Sequence, residues 1–398
     1  MKETLCTLAL AILPFSTLFA ADFSKLETVR AEELAARQNI IFVEAPVPQP
    51  AARPAMQQYE GAYTQAPVFG RYDYTGIPLY IFTETARVSP VLVQAINSVA
   101  YTLDVALYNL QLADVTQALV QARDRGVRLR VMIDYDHVFP AVGRDIKYLI
   151  DSGLDLKVMK GRGGSGSMHN KYAIFDGTAL QTGSANWTSF AENSSYENMM
   201  FVYDGAVIRG YQENFEWMWR QGRSPAAPSA PVPAPGPVPA DLNPSVNFNG
   251  TLFPRYIFSP HGGTEAAIVK AIDAARFSVD VAMFSLTSRP IMDAALRAGS
   301  RGVKVRLTLS AGSKFPFYEE TVSRKIPLKF LKGRLEKGVM HNKYAVLDGK
   351  MLINGGFNWS DTAEQINAEN TIFTTDPAYV GPYLKEYNKL FKMAGPSH

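Results

Sequence analysis

The sequence predicts an α/β fold of two tandem repeats, each a mixed, mostly parallel sheet flanked by helices, packed as a pseudo-twofold pair. Three observations carry this. The chain repeats itself, each copy alternates apolar strands with amphipathic helices, and a proline-rich stretch separates the copies. The repeat is direct. Tyr80-Ile-Phe82 answers Tyr256-Ile-Phe258, LDVAL at 103–107 answers VDVAM at 279–283, and RGVRLR at 125–130 answers RGVKVR at 301–306, all offset by 176 residues. Farther on, LKVMKGR at 156–162 answers LKFLKGR at 328–334, and MHNKYAIFDG at 168–177 answers MHNKYAVLDG at 340–349, now offset by 172. The length difference is expected in the loop around 139–145.

Taken in order, the chain opens with Lys2, an apolar run from Leu5 to Phe19, and small residues at Ala20 and Ala21. That order reads residues 1–21 as a secretory signal peptide. The run contains Pro14 and is short for a membrane span, which needs about 20 residues. A secreted or periplasmic protein is expected, with no transmembrane segment in the mature chain. Residues 22–78 form an N-terminal extension outside both copies. In it Phe23–Arg37 reads as a helix and 45–55 is proline-rich. The first half covers 79–222, the proline-rich linker 223–250, and the second half 251–398.

Within the first half, strands are predicted at 79–82, 103–108 and 128–133, with helices at 90–100 and 114–125. The second half matches them with strands at 255–258, 278–284 and 304–309 and helices at 265–275 and 290–301. The later strands at 172–175 and 344–347 each run into Asp-Gly, a hairpin-turn signal. Aromatic helices at 211–219 and 383–391 close the copies, and their rings read as core packing. The linker at 224–240 carries seven prolines. It favours extended polyproline II and, at roughly 3.1 Å per residue, reaches about 50 Å. It is expected to strap the surface of two halves that pack together.

Composition narrows the function. Of 398 residues, 47% are hydrophobic and 19% charged, which is globular rather than disordered. The formal charge of +3 excludes a strongly cationic nucleic-acid coat. The single cysteine, Cys6, lies in the expected signal, which excludes disulfide scaffolds, cysteine zinc sites and cysteine catalysis in the mature chain.

Chemistry concentrates in one recurring constellation. Each copy has His, then Lys two residues later, then Asp after a further five: His169, Lys171 and Asp176; His341, Lys343 and Asp348. Side chains alternate along a strand, so each His and its Lys are expected on one face. Asn186 and Asn358 follow seventeen residues after each His, and Glu197 and Glu369 twenty-eight residues after. Lys and Asn can donate to phosphate oxygens. A neutral imidazole can attack phosphorus while a protonated one serves the leaving oxygen. A carboxylate can orient each imidazole. Singly, each residue is more often structural, and Asp before Gly is more often a turn residue. Their joint recurrence at identical spacing is the argument. One copy holds one His, so a full site needs both copies face to face.

Here the sequence resembles the phospholipase D superfamily. The resemblance lies in the duplicated His-x-Lys-x4-Asp and in Gly183-Ser184-Ala-Asn186, and it covers about 79–221 and 251–393. It implies one active site at the interface of the halves, within a monomer, needing no cofactor and no metal. One His, His169 by the common family order, would form a phosphohistidine, and His341 would act as acid and then base. Lys171, Lys343, Asn186 and Asn358 would hold phosphate. Glu197 and Glu369 would orient the histidines, and Asp176 and Asp348 would brace the site. The second copy reads Gly355-Gly356-Phe357-Asn358, so the Ser184 phosphate contact would exist on one side only. The glycine-rich loop 161–166 and its counterpart 333–338 read as a mobile rim with Arg162 near the mouth. The substrate is expected to be a phospholipid at a membrane surface, with headgroup exchange when an alcohol replaces water. The alternative is an exported nuclease acting on nucleic acid, with Arg162, Lys332 and Arg334 meeting the backbone.

Overall fold

The computed structural model describes residues 76–395. The expected signal, the helix predicted at 23–37 and the proline-rich 45–55 lie outside the described residues.

The first half runs β1 (Tyr80–Phe82), helix Val88–Ser98, β2 (Thr102–Leu107), β3 (Leu110–Gln111), helix Ala113–Asp124, β4 (Arg128–Asp134), helix Arg144–Asp151 and β5 (Asp155–Met159). It continues with β6 (Lys171–Phe175), β7 (Ala179–Gly183), β8 (Trp187–Thr188), helix Ser189–Ser194, β9 (Asn198–Val202) and helix Gly205–Gln221. A hairpin of β10 (Val246–Phe248) and β11 (Thr251–Phe253) opens the second half. Then come β12 (Tyr256–Ser259), helix Thr264–Ala274, β13 (Ser278–Met283), helix Arg289–Ser300, β14 (Lys304–Ser310), helix Tyr318–Ser323 and β15 (Leu328–Leu331). The chain closes with β16 (Lys343–Leu347), β17 (Met351–Gly355), helix Asp361–Gln365, β18 (Glu369–Thr374) and helix Pro377–Met393.

The two large sheets have the same topology, β1-β9-β7-β6-β2-β4-β5 and β12-β18-β17-β16-β13-β14-β15. The α/β class and the repeat hold. The parallel share is smaller than the strand–helix alternation suggests. In the first sheet only β2–β4 and β4–β5 are parallel, and the other four pairings are antiparallel. The reason is local: no crossover helix joins β5 to β6, so β6 enters beside β2 in the opposite direction, and β7 turns back beside β6 through a tight hairpin.

Local sequence explains the elements. The helices Ala113–Asp124 and Arg289–Ser300 end just before Gly126 (φ 96°) and Gly302 (φ 85°), left-handed positions that glycine fills without strain. In the β6–β7 turn Asp176 and Gly177 have φ of 49° and 62°, the two positive values of a type I′ turn. Asp104 on β2 pairs with Arg130 on β4 at 2.8 Å, and Arg130 also bonds Glu216 of the closing helix. Asp280 and Arg306 repeat this at 2.6 Å, but Arg306 then meets the neutral Asn388.

Three apolar cores result. Helices 88–98, 113–124 and 144–151 pack on one face of the first sheet, and their counterparts pack on the second. A third core joins the halves, with Tyr172, Tyr211 and Phe215 packed with Phe258, Tyr344 and Tyr383. The closing helices therefore lie in the shared layer, which is why they are aromatic. The linker packs against one of them, since the Trp217 indole donates to the Gly236 carbonyl at 2.9 Å, and within the linker Arg223 donates to the Ala230 carbonyl at 2.8 Å. No helix among the described residues is long and apolar enough to cross a membrane.

Candidate active site

Each histidine sits at the entry of its middle strand, not within it, since β6 begins at Lys171 and β16 at Lys343. What holds the entry is the other half. Met168 bridges Ala368, and Met340 bridges Tyr196. The His169 N–H donates to the Ala368 carbonyl and the His341 N–H to that of Tyr196, both at 2.9 Å. Around these bridges lies a mirrored amide seam. The Asn370 amide donates to Asn170 and that of Asn198 to Asn342, each at 2.8 Å. Tyr211 donates to Asn370 and Tyr383 to Asn198. In the sequence Asn198 and Asn370 follow each Glu and Asn170 and Asn342 each His, a recurrence that marked the first pair but gave none of the four a role.

The carboxylates cross over. His169 Nδ1 is 2.9 Å from both oxygens of Glu369, and His341 Nδ1 is 2.7 Å from Oε1 of Glu197. Each imidazole is thus held by the other half's glutamate through Nδ1. That leaves Nε2 as the nitrogen for chemistry. His169 is 2% exposed and Glu369 wholly buried. Burial pushes the His169 imidazole well below its ordinary value, and Lys171, Lys343, His341 and His137 push the same way. The edges of Tyr108 and Phe284 meet His169 and His341, with centroids 4.8 Å apart in both cases.

Lys171 Nζ donates to the His169 carbonyl at 2.8 Å and Lys343 Nζ to that of His341 at 3.0 Å. Both lysines are buried, with Lys171 also over the Tyr108 ring and Lys343 over Phe284. Asn186 and Asn358 are half-buried, and the carboxamide oxygen of each is buried without a hydrogen bond.

Three expectations change. Asp176 and Asp348 directly follow their strands, five residues beyond the lysines and so on the order of 16 Å from them at the strand rise. The Asp176 carboxylate accepts the N–H groups of Ala100, Tyr101 and Thr102. Asp348 accepts those of Arg276, Phe277 and Ser278 and the Asn249 amide. They fasten a turn to the start of the neighbouring strand and take no place among the site groups. Ser184 Oγ donates to Glu197 Oε2 at 2.7 Å and accepts the Asn198 N–H, so its hydroxyl is engaged with the carboxylate rather than offered to phosphate. The glycine-rich loops clasp the opposite half. Gly161 and Gly166 lie so close to Ile366 that a Cβ on either would come within 2.4 Å of it. Arg162 N–H donates to the Ile366 carbonyl. Arg334 bonds the carbonyls of Ser195 and Glu192, so it is spent on the clasp, whereas the side chains of Arg162 and Lys332 are exposed.

A model of the family described as cardiolipin synthase, phospholipase D-like domain, matches residues 92–219 and 268–393, once in each half. The chain belongs to the phospholipase D-like family. Part of the chain is 32% identical over 120 residues to a mitochondrial cardiolipin hydrolase of Xenopus tropicalis, covering 30% of this chain and 55% of that protein. It is 32% identical over 133 residues to a phospholipase D of Rickettsia conorii, covering 33% and 65%. The match therefore spans little more than half the length of the first of these relatives. In structure the chain is similar to a phosphatidylserine synthase of Haemophilus influenzae, with a TM-score of 0.57 and 10% identity over 80% of this chain and 88% of that one. At that identity the likeness concerns the fold alone.

Proposed function

We propose that the chain is an exported phosphodiesterase of the phospholipase D type, which hydrolyses a phospholipid headgroup ester through a phosphohistidine. The observation that carries this is the crossed pair His169–Glu369 and His341–Glu197. Two imidazoles face one seam, each held at Nδ1 by a carboxylate of the other half, and Lys171 and Lys343 place positive charge beside them.

The His169 Nε2 lone pair attacks phosphorus. As the P–N bond forms, the bond to the leaving oxygen breaks, and that oxygen takes the proton from His341 Nε2. Water then attacks phosphorus, His341 takes its proton, and the P–N bond breaks to release the phosphomonoester and free His169. An alcohol in place of water would exchange the headgroup. His169 suits the first role because its depressed pKa keeps it neutral at physiological pH. Lys171, Lys343 and the amides of Asn186 and Asn358 would offset charge on the phosphate oxygens.

Two points favour a lipid over nucleic acid. The curated relatives named above are a cardiolipin hydrolase and a phospholipase D. Arg334, one of the basic residues that would follow a nucleic-acid backbone, is consumed by the clasp. The test gives purified protein and its His169→Ala variant mixed phospholipid vesicles and, separately, single- and double-stranded DNA. Headgroup release that is lost in the variant supports the proposal. DNA degradation without headgroup release would replace it with an exported nuclease.

A further inference from the structure

The two glutamates are braced by residues at non-equivalent positions. Glu197 is held by Ser184 Oγ on Oε2, which leaves Oε1 for His341 at 2.7 Å. Glycine stands at the equivalent of Ser184, Gly356, so Glu369 has no such hydroxyl. Asn367, two residues before Glu369 on the same segment, donates through Nδ2 to Glu369 Oε1 at 3.1 Å. Its own oxygen accepts the Ser167 N–H at 3.0 Å, two residues before His169. Asn367 is 4% exposed and therefore rigidly placed. Its counterpart Ser195 accepts the matching Val339 N–H at a looser 3.4 Å.

We propose that Asn367 is the positioning residue of His169: it ties Glu369 to the segment that carries His169 and shares the carboxylate's charge. The proposal rests on the phosphodiesterase reading for its kinetic arm only. The physical argument is competition. A carboxylate oxygen that already accepts one N–H is a weaker acceptor for the next, so Glu369 orients the imidazole without strongly stabilising its protonated form. In the other pair Ser184 donates to Glu197 Oε2, and Oε1 holds His341. The groups facing His169 are Glu369, Lys171, Lys343, His341 and His137, with Asp134 accepting the neighbouring Met168 N–H. The four cations or potential cations already disfavour a charged His169, and Asn367 limits the one group that opposes them.

Two arms test this on the whole chain. In the kinetic arm, kcat/KM on bis-p-nitrophenyl phosphate is followed against pH. Asn367→Ala is expected to lower kcat/KM about tenfold to a hundredfold, as misplacement of a reacting group does. It should also move the acid limb, which reports neutral His169, to higher pH. In the second arm, NMR of the ring nitrogens follows His169 titration without substrate, with His169→Ala assigning the signal, and the same upward shift is expected. Gly356→Ser in the Asn367→Ala background would restore a donor by the Ser184 route, since a Cβ at 356 lies 3.3 Å from Glu369 Oε2. It should return the limb toward wild type. A fall in rate with an unmoved acid limb and an unmoved His169 titration would overturn the proposal, leaving Asn367 a packing residue. Should wild type turn over no diester, the functional reading fails while the NMR arm still decides the role of Asn367.

Discussion

Around His169 stand Tyr108, Asp134, His137 and Asn367, whereas the equivalent positions around His341 carry Phe284, Ser310, Ser313 and Ser195. The backbone frame is shared. Both histidines enter their strands through a bridge to the other half, both face the opposite glutamate, and both meet an aromatic edge. The first site is thus rich in titratable groups and the second in small hydroxyls. Burial pushes the Asp134 carboxyl up to about 8, and the nearby charge of Asp136 adds to this against the bonds from Met168 and Asp136 N–H. Pairing across the interface requires the frame, so both copies have it. Division of labour between two histidines requires different charges around them, and there the copies diverge.

The largest expected effect breaks that comparison at the histidines themselves. His169→Ala should lose about 10⁴-fold or more of kcat on any diester, as removal of a nucleophile does. His341→Ala should lose about 10² to 10⁴-fold on a poor leaving group. On a p-nitrophenyl ester, which needs little protonation, the first turnover should slow much less, and phosphorylated protein should accumulate, read by mass spectrometry. Equal losses for both variants on both esters would mean that the roles are not divided. The wild-type acid limb should lie well below pH 6.5, following the depressed His169.

The next effect concerns the two aspartates. Asp176→Ala leaves three N–H groups without their acceptor and should cost about 2–3 kcal/mol of stability. It should leave the acid limb of the pH profile where it is. A limb that moves would return Asp176 to the site. Asp348→Ala should cost less, since that carboxylate is half-exposed. Burial alone would raise the Asp348 pKa, but the N–H groups of Ser278, Arg276 and Phe277 and the Asn249 amide outweigh it and hold it below 3.8. Its stabilisation is full above the ordinary carboxylate range and is lost as pH falls through the lower folded value. Denaturant titrations should show that acid-side loss in wild type and its absence in Asp348→Ala.

A smaller effect sharpens the comparison in the shared layer. Asn214 accepts the Tyr172 hydroxyl at 2.9 Å, whereas Glu386 holds the equivalent place and the Tyr344 hydroxyl is buried without a hydrogen bond. Burial, then hydrogen bonding to Glu84 and its charge, push Glu386 up to about 8 against the pull of Lys389. A carboxyl raised on folding contributes fully below its unfolded pKa and loses that contribution as pH climbs through the folded one. Tm should therefore fall between about pH 4.5 and about 8, and Glu386→Asn should flatten the slope. At the alkaline end the variant should gain about 1 kcal/mol, as for one new hydrogen bond. A slope that persists would place the titration elsewhere. The smallest effect is none at all: no proposed step uses a metal, so kcat should be unchanged in EDTA. Inhibition reversed by one added cation would require a different mechanism.

The principal strands and helices were legible to within a few residues, except that the aromatic helices run six residues longer at their N-termini, because the repeat showed each pattern twice. The helices Arg144–Asp151, Ser189–Ser194 and Asp361–Gln365 were not, since eight, six and five residues hold too little apolar periodicity to stand out. Asp176 and Asp348 were legible as a motif, but a fixed spacing does not say whether a carboxylate faces substrate or fastens a turn. Asn367 left no signal, because the matching position in the first copy carries a different residue, Ser195.

From composition and recurrence alone follow the repeat, the α/β class, the family resemblance and the presence of two His, two Lys and two Glu. These depend on patterns along the chain, and such patterns are what a sequence records. Only the tertiary structure decided which glutamate serves which histidine. Within a copy each Glu lies 28 residues after its own His. The pairs that form are separated by 200 and 144 residues and run between copies. Spacing cannot express that choice, because it is made by how two sheets meet across an apolar layer. There the His entries bridge the other half's chain, and that brings the opposite carboxylate, rather than the native copy's own, within hydrogen-bond reach.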